Sequence, residues 1–473
     1  MTSVDSRTVI GERAPRAGAH PFSEDTLKEI SSAQGEPEWL LQRRLEAWRA
    51  YEQLPLPSRK DEEWRRTDLS MLELDSLTAF SSNDGSGGRG QAPALLEGTP
   101  VGRMEDLPAE IKATLMDEGN HAGLSVQVNS RTVYTHLEEG ISARGVILSD
   151  LSRAAREHPD LVRPHLMAQL GPGSGKFGAL HATFWSGGTF LYVPRNVEVE
   201  QPIHALRWMD APGLSGMPHT LVVLGSGAAL TLVEEYASGE GDGDPAFANT
   251  GVELVLGPGS RLHYVALQRW GTHTFNFSTQ RAAIHRDAQL TTLSVVLGSR
   301  MTKSWVESSL MEPGAGAQMV GVMFAGEEQR FHHHTLQEHR APNTSSDLLY
   351  KVALTGRARS EYSGLIRVHP FARGTDAYQA NRNLLLSPRS RADSMPKLEI
   401  ENNDVRCTHG ATVGPIDEEQ LFYLMARGLP RGEAERMIVE GFFEPVLERV
   451  PLEGVRERVR AAVEAKLSVQ EAE

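Results

Sequence analysis

Short stretches that alternate apolar and polar residues, separated by turn residues, fill the chain from residue 177 to about residue 407. Alternation with a period of two is typical of β-strands. Six units share one pattern, in which an apolar residue, a turn and a spacer precede a new strand, and these strands begin near Leu230, Leu262, Leu290, Met319, Tyr362 and Met395. The successive separations are 32, 28, 29, 43 and 33 residues. A loose period near 30 predicts stacked β-rungs, and an ordinary β-sandwich is the alternative that the pattern leaves open.

Helical patterns flank this β region. One helix is predicted from residue 37 to residue 54, where apolar residues recur at helical spacing. A second helix, capped by Asp417, is predicted from Glu418 to Arg427. The chain therefore divides into residues 1–35, predicted to be disordered, a mixed helical region (36–175), a β core (176–410) and a C-terminal helical region (411–473). Four glycines and three serines in residues 81–90 predict a flexible loop inside the second part.

Composition narrows the function. The 473 residues carry 48 basic and 62 acidic side chains, a net charge of −14, which argues against nucleic-acid binding. One cysteine excludes internal disulfides and a four-thiolate iron–sulfur site built by one chain. Charged residues near the N-terminus argue against a secretory signal, and no apolar run reaches the ~18 residues of a membrane span. We therefore expect a cytoplasmic protein that contacts no membrane.

A glycine-rich loop from Gly171 to Phe177 looks like a phosphate-binding loop at first sight. The spacing of its glycines is one residue too short, and Phe177 stands where a serine or threonine would bind magnesium. The pattern after it predicts strands, so no helix N-terminus is expected to face a phosphate. We predict that this chain binds no nucleotide.

Two enzymatic interpretations rest on other residues. His332, His334 and Glu338 match the first half of a cupin metal motif, and a strand would project both histidines to one face. The second half of that motif is missing from the sequence, so a solvated or interface strand rich in imidazoles is the simpler interpretation. A β-helical polysaccharide-active enzyme would need paired acids, but Glu234 and Glu235 are neighbours and point to opposite faces of a strand.

Cys407 and His409 form the third candidate site. In a strand, residues two apart share a face, with Cα atoms ~6.6 Å apart. A thiolate and an imidazole placed in this way can both reach a soft metal or one edge of an iron–sulfur cluster. Two ligands do not close a tetrahedral site, so a second chain would have to provide the rest. A small buried cysteine beside a hydrogen-bonded histidine is the alternative that spacing leaves open.

The segment from Pro396 to Gly428, which contains Cys407 and His409, closely resembles the SufB/SufD family of the SUF iron–sulfur cluster assembly system. The resemblance runs from about residue 36 to the C-terminus. Four further segments support it: Glu36–Ala47, Glu62–Asp68, Tyr192–Ile203 and His332–Ser346.

The resemblance implies a right-handed parallel β-helix core between helical ends, and a complex with the paralogue SufB and two copies of the ATPase SufC. Cys407 and His409 would lie on or near the SufB–SufD interface, where a nascent cluster is held transiently and shared between the chains. His409 is the ligand most strongly implied on this side, with a companion thiolate from SufB. The residues implied in SufC docking are Leu421, Phe422, Met425 and Arg427.

Within the family, the cysteine count separates two branches. SufB chains carry further core cysteines that accept sulfur, and this chain has none besides Cys407. The resemblance therefore favours the SufD branch, and it implies a non-catalytic scaffold rather than an enzyme. A surface that binds a paralogue can also bind a second copy of the same chain. The sequence therefore leaves open whether the isolated chain forms a homodimer. Flavin binding is open too, because the sequence has no dinucleotide fingerprint.

Overall fold

The computed structural model describes residues 21–79, 100–115, 121–210, 213–239, 245–450 and 453–471. The first twenty residues and the loop 81–90, for which disorder and flexibility are predicted, lie outside these ranges. The described α-helices are α1 (Glu24–Ala33), α2 (Glu38–Gln53), α3 (Ala109–Thr114), α4 (Glu139–Ser142), α5 (Leu151–Glu157), α6 (Pro159–Val162), α7 (Gly175–Phe184), α8 (Glu418–Ala426), α9 (Arg431–Leu447) and α10 (Glu453–Glu471). Short 3₁₀ helices span Glu62–Trp64, Leu74–Ser76 and Met104–Asp106.

The strands form two large sheets. They are β1 (Gly123–Val128), β2 (Arg131–Leu137), β3 (Ile147–Asp150), β4 (Gly188–Val193), β5 (Ile203–Met209), β6 (Ser215–Gly216), β7 (His219–Leu224), β8 (Ala229–Ser238), β9 (Ala246–Leu256), β10 (Arg261–Arg269), β11 (Thr274–Ile284), β12 (Gln289–Val296), β13 (Met301–Leu310), β14 (Gly316–Ala325), β15 (Arg330–His339), β16 (Ser345–Leu354), β17 (Arg359–Val368), β18 (Thr375–Leu385), β19 (Arg391–Ile400) and β20 (Val405–Pro415). Sheet one has the order β2-β1-β5-β8-β10-β12-β14-β16-β18-β20, and sheet two has the order β19-β17-β15-β13-β11-β9-β7-β4-β3.

From β7 onward the chain alternates between the two sheets, so that each turn adds one strand to each of them. Neighbouring strands are parallel and in register from β8 to β20, which makes the core a parallel β-solenoid of about eight turns. The predicted parallel β-helix is confirmed, and the sandwich alternative is wrong. Strands of one sheet recur every 27 to 32 residues. The single long interval of 43 arises because Met319 lies in sheet one and Tyr362 lies in sheet two.

An apolar column fills one side of the solenoid interior. Leu230, Leu262 and Leu290 are register neighbours on successive strands of sheet one, and all three are buried. Burial of a leucine side chain contributes roughly 1.5–3 kcal/mol. Each turn therefore depends on its neighbours for a core, as the repeat pattern predicts.

The terminal regions cover the outer faces of the two sheets. Helices α9 and α10 pack on sheet one, where Phe443 and Val459 join the core cluster that contains Val295. The Nζ atom of Lys466 donates to the carbonyl oxygen of Phe324 (2.6 Å), and burial lowers the pKa of this lysine to about 7. The N-terminal helices α1, α2 and α7 contribute to the cluster that covers sheet two. No helix in the described part of the chain has the length and apolar character needed to cross a membrane.

Three predicted boundaries need correction. Residues 24–33 form α1, in which Leu27 and Ile30 are buried, so the predicted disorder of residues 1–35 is wrong there. Phe22 and Ile30 join the cluster beneath α7, and this contact orders the segment. The predicted core start at residue 176 falls inside α7, and the predicted end at 410 falls inside β20.

The carboxylate of Glu253 fastens the N-terminal region to sheet two. It accepts hydrogen bonds from the backbone N–H groups of Met167 (2.6 Å) and Gln169 (2.7 Å), and its Oε2 lies 3.1 Å from His219 Nε2. The Nδ1 atom of His219 lies 2.9 Å from His181 Nε2. Burial lowers the pKa of His181 to about 3, so this ring is neutral at physiological pH.

We expect Glu253→Ala to destabilise the protein by about 3 kcal/mol, because each buried donor left without an acceptor costs ~1–3 kcal/mol. Urea unfolding followed by tryptophan fluorescence measures the loss. Glu307→Ala is the matched control, since Glu307 pairs with Arg281 in a partly exposed site. A Glu253→Ala protein as stable as this control would contradict the anchoring role.

Candidate functional site: the open end of the solenoid

The last turn of the solenoid, made of β19 and β20, is paired on one side only. Among the described strands, β20 pairs with β18 and β19 pairs with β17, so both strands have a free edge. In the preceding turn the inward side chains of Ile366 and Val368 are fully buried. Their register neighbours in β19, Leu398 and Ile400, are 37% and 41% exposed. The interior of the solenoid therefore opens at this end as an apolar surface.

We call this surface the open end. Its members share the inward side of the last turn, as their pairing with residues of the buried preceding turn indicates. They are Leu398, Ile400, Val405, Cys407, His409 and Val413.

Cys407 and His409 lie side by side within the open end. In sheet one Cys407 is the register neighbour of the buried Ala377, and His409 is the neighbour of the buried Gln379. The thiol is half-buried and packs against the cluster that contains Ile366, whereas His409 is exposed. Both side chains are therefore on one face of the last turn, where the imidazole of His409 is exposed.

Burial, assisted by the negative charge of Asp376, raises the pKa of the Cys407 thiol. The thiol is therefore protonated at neutral pH and would have to lose its proton in order to bind a metal. Sulfur and imidazole nitrogen suit iron and other soft or borderline metals. No group of three or more potential ligands in the described residues could hold a metal ion, so this pair would complete a metal site only with ligands from elsewhere.

The imidazole-rich strand β15 has a different role. His332 and His334 share its outward face, as predicted, but their imidazole nitrogens already contact residues of the N-terminal region and of sheet two. His332 Nδ1 lies 3.0 Å from Thr67 Oγ1, and Lys303 Nζ lies 3.0 Å from His334 Nε2. Burial lowers the pKa of His332 to about 3 and that of His334 to about 2, so both rings are neutral.

Glu338 does not join these histidines. Its carboxylate lies 3.0 Å from His369 Nε2 and 3.0 Å from Arg340 Nε. Four residues of strand place it about 13 Å along β15 from His334. The cupin-like set of His332, His334 and Glu338 is thus not brought together, and this alternative has no support.

Helix α8 follows the open end after a two-residue link. Asp417 caps the helix as predicted, accepting a hydrogen bond from the Glu419 N–H (2.9 Å). Leu421 is 1% exposed and packs with Ile416 and Ala434, so its side chain is not on the surface of α8, where the predicted docking would need it.

The other predicted docking residues of α8 point outward. Phe422 is 73% exposed and Met425 is 40% exposed. Tyr423, which was not predicted, is 56% exposed, and the guanidinium of Arg427 lies 4.5 Å from the centre of its ring. We call Phe422, Tyr423, Met425 and Arg427 the α8 patch.

The glycine-rich loop leads into helix α7, not into a strand as predicted. The helix is buried on nearly all sides, so its sequence shows no amphipathic pattern. Lys176 donates to the carbonyl oxygen of Tyr51 (2.6 Å), and its Nζ lies 3.6 Å from the centre of the Tyr51 ring. The ammonium group of Lys176 therefore contributes to the packing of the N-terminal region.

Comparison with known proteins agrees with this architecture. The family described as "SUF system FeS cluster assembly, SufBD core domain" matches residues 208–442, and the SufBD protein N-terminal region matches residues 120–205. Iron–sulfur cluster assembly SufBD family proteins from Staphylococcus haemolyticus and Staphylococcus saprophyticus are each 29% identical over 444 residues, covering 91% of this chain and 90% of theirs. A relative from Staphylococcus aureus is 28% identical over the same length. The chain belongs to the SufB/SufD family of the SUF iron–sulfur cluster assembly system.

Proposed function

We propose that this chain is a non-catalytic scaffold subunit of the SufD branch, acting in cytoplasmic iron–sulfur cluster assembly. It pairs with a SufB-type paralogue through the open end, docks the ATPase SufC through the α8 patch, and contributes Cys407 and His409 to a nascent cluster that is the cargo of the complex. The observation that carries the proposal is a two-ligand set displayed on an uncovered apolar end. Co-purification with both partners, followed by iron and sulfide analysis, tests it.

Pairing at the open end is favoured by its physical chemistry. Unpaired strand edges are templates for another strand, and exposed inward-facing aliphatic side chains gain free energy when covered. A paralogue with the same solenoid has an equivalent last turn, so a pseudo-two-fold arrangement would set its edge strands antiparallel to β19 and β20. A second copy of this chain could occupy the same surface.

The partner would complete the ligand set. With one thiolate and one imidazole from this chain, a cluster needs thiolates from the other side of the interface. A single cysteine also fits a ligand better than a sulfur carrier, because this chain has no second thiol to which sulfur could be passed. No nucleotide is assigned to this chain, and ATP hydrolysis would come from SufC.

The α8 patch is coupled to the ligand strand. β20 ends at Pro415 and α8 begins at Glu418, so a force on α8 acts directly on the strand that carries both ligands. Helix α9 is held on sheet one, where Lys351 Nζ donates to the Phe442 carbonyl oxygen (2.6 Å). ATP-driven closure of SufC would thus shift the equilibrium between closed and open forms of the interface.

Phe422→Glu is expected to weaken SufC binding by 10- to 100-fold, since a central aromatic residue of an interface typically contributes ~2 kcal/mol or more. Surface plasmon resonance with purified SufC measures the change. Leu56→Glu is the control, because Leu56 is an exposed apolar residue of the N-terminal region. Equal SufC affinity for Phe422→Glu and the wild-type chain would rule out docking through this patch.

A further inference from the structure

Gln379 is a buried residue whose polar atoms have no partner. It lies in β18 on the inward side, is 0% exposed, and neither its Oε1 nor its Nε2 has a hydrogen-bond partner in the described part of the chain. Burying an amide group without hydrogen bonds costs free energy, so such a residue in a folded protein suggests a functional role. The unpartnered amide atoms of Gln379 belong to β18, the strand that pairs with β20 of the open end.

The space around this amide is made by a glycine. Gly364 of β17 faces Gln379 across the interior, and a β-carbon at position 364 would collide with Gln379 Nε2 and with the Tyr362 hydroxyl. That hydroxyl is already engaged, at 2.8 Å from Thr335 Oγ1. Thr335, Tyr362 and Gln379 thus form a row of polar groups that crosses the interior toward the last turn.

His409 is the next group in that direction. It is the in-register neighbour of Gln379, and adjacent strands lie ~4.8 Å apart. An imidazole that binds a metal through one nitrogen usually donates its other N–H to an oxygen acceptor, which fixes the tautomer and the ring orientation. The amide oxygen of Gln379 is a buried acceptor that receives no hydrogen bond from any described residue.

We propose that Gln379 is a positioning residue for His409. Its Oε1 accepts the imidazole N–H, and its Nε2 donates to Tyr362, when a partner covers the open end and His409 takes up its ligand geometry. This inference rests on the proposed ligand role of His409 and adds the group that orients the ring. Thr335 and Tyr362 hold the amide from behind.

Co²⁺ titration of the purified complex, followed by its visible absorption, tests the inference. We expect Gln379→Leu to weaken Co²⁺ binding 10- to 100-fold, the usual effect of losing a hydrogen-bond partner of a ligating histidine. Gln379→Glu keeps an acceptor oxygen and is expected to bind within a few-fold of wild type. Gln280→Leu is the matched control, because Gln280 is another buried interior glutamine with an unpartnered Nε2, three turns away in sheet two.

Gly364→Ala is a second variant in case Gln379→Leu does not fold, since the added methyl group displaces the amide without altering Gln379. It is expected to weaken Co²⁺ binding in the same range. Wild-type affinity in Gln379→Leu or Gly364→Ala, together with lost binding in His409→Ala, would overturn the positioning role alone. Wild-type affinity in His409→Ala as well would overturn the ligand role on which it rests.

Discussion

Replacing His409 by alanine is expected to lower the iron and acid-labile sulfide of the purified complex at least tenfold. The imidazole is exposed at the open end, beside a half-buried thiol, and this chain offers no third ligand next to them among its described residues. Without the imidazole, Cys407 would be the only ligand that this chain offers to a cluster. A single thiolate is too few ligands to hold one. Colorimetric iron and sulfide assays on the complex measure the loss.

The complex itself is expected to survive this change, because His409 contributes little apolar area to the open end. Co-purification of both partners with the His409→Ala chain checks that expectation. His136→Ala is the control, since His136 is an exposed strand histidine of β2, at the opposite end of sheet one. Normal cluster content in the His409→Ala complex would remove this residue from the ligand set.

The double variant Ile400→Asp/Val413→Asp is expected to weaken pairing with the SufB-type partner by at least 100-fold. These side chains are 41% and 45% exposed on the inward side of the last turn, one in each sheet. Burying two unpaired carboxylates in an apolar interface costs several kcal/mol. Analytical ultracentrifugation or titration calorimetry measures the change in dissociation constant.

Because both positions are already exposed in the isolated chain, its fold is expected to tolerate the substitutions, and an unchanged thermal midpoint verifies this. Leu56→Asp, at an exposed apolar position of the N-terminal region, is expected to pair normally. Undiminished pairing by the double variant would place the partner on another surface.

The repeat in the sequence is enough to predict the solenoid, because stacked rungs repeat their core residues at a nearly constant interval. Leu230, Leu262 and Leu290 are neighbours in the structure as their spacing implies. The same pattern does not reveal that successive strands alternate between two sheets. The interval from Met319 to Tyr362, for example, begins in a strand of sheet one and ends in a strand of sheet two. Helix α7 is missed because burial on all sides removes the amphipathic period.

The site is predictable only where local spacing determines it. Cys407 and His409 share a face because they are two residues apart in a strand. Leu421 and Phe422 are both apolar and adjacent, and only the packing of α8 on Ile416 decides that the first is buried and the second exposed. Gln379 has no signal of its own, because it lies 30 residues before His409 and meets it only through strand register.

Hydrogen–deuterium exchange of residues 391–415 tests the central claim most directly. In the free chain, the backbone N–H groups on the free edges of β19 and β20 have no partner among the described strands. They are expected to exchange within seconds. In the complex with the SufB-type partner the same amides are expected to be protected by at least a hundredfold. Unchanged exchange across 391–415 in a complex that has demonstrably formed would contradict the assignment of the open end as the pairing surface.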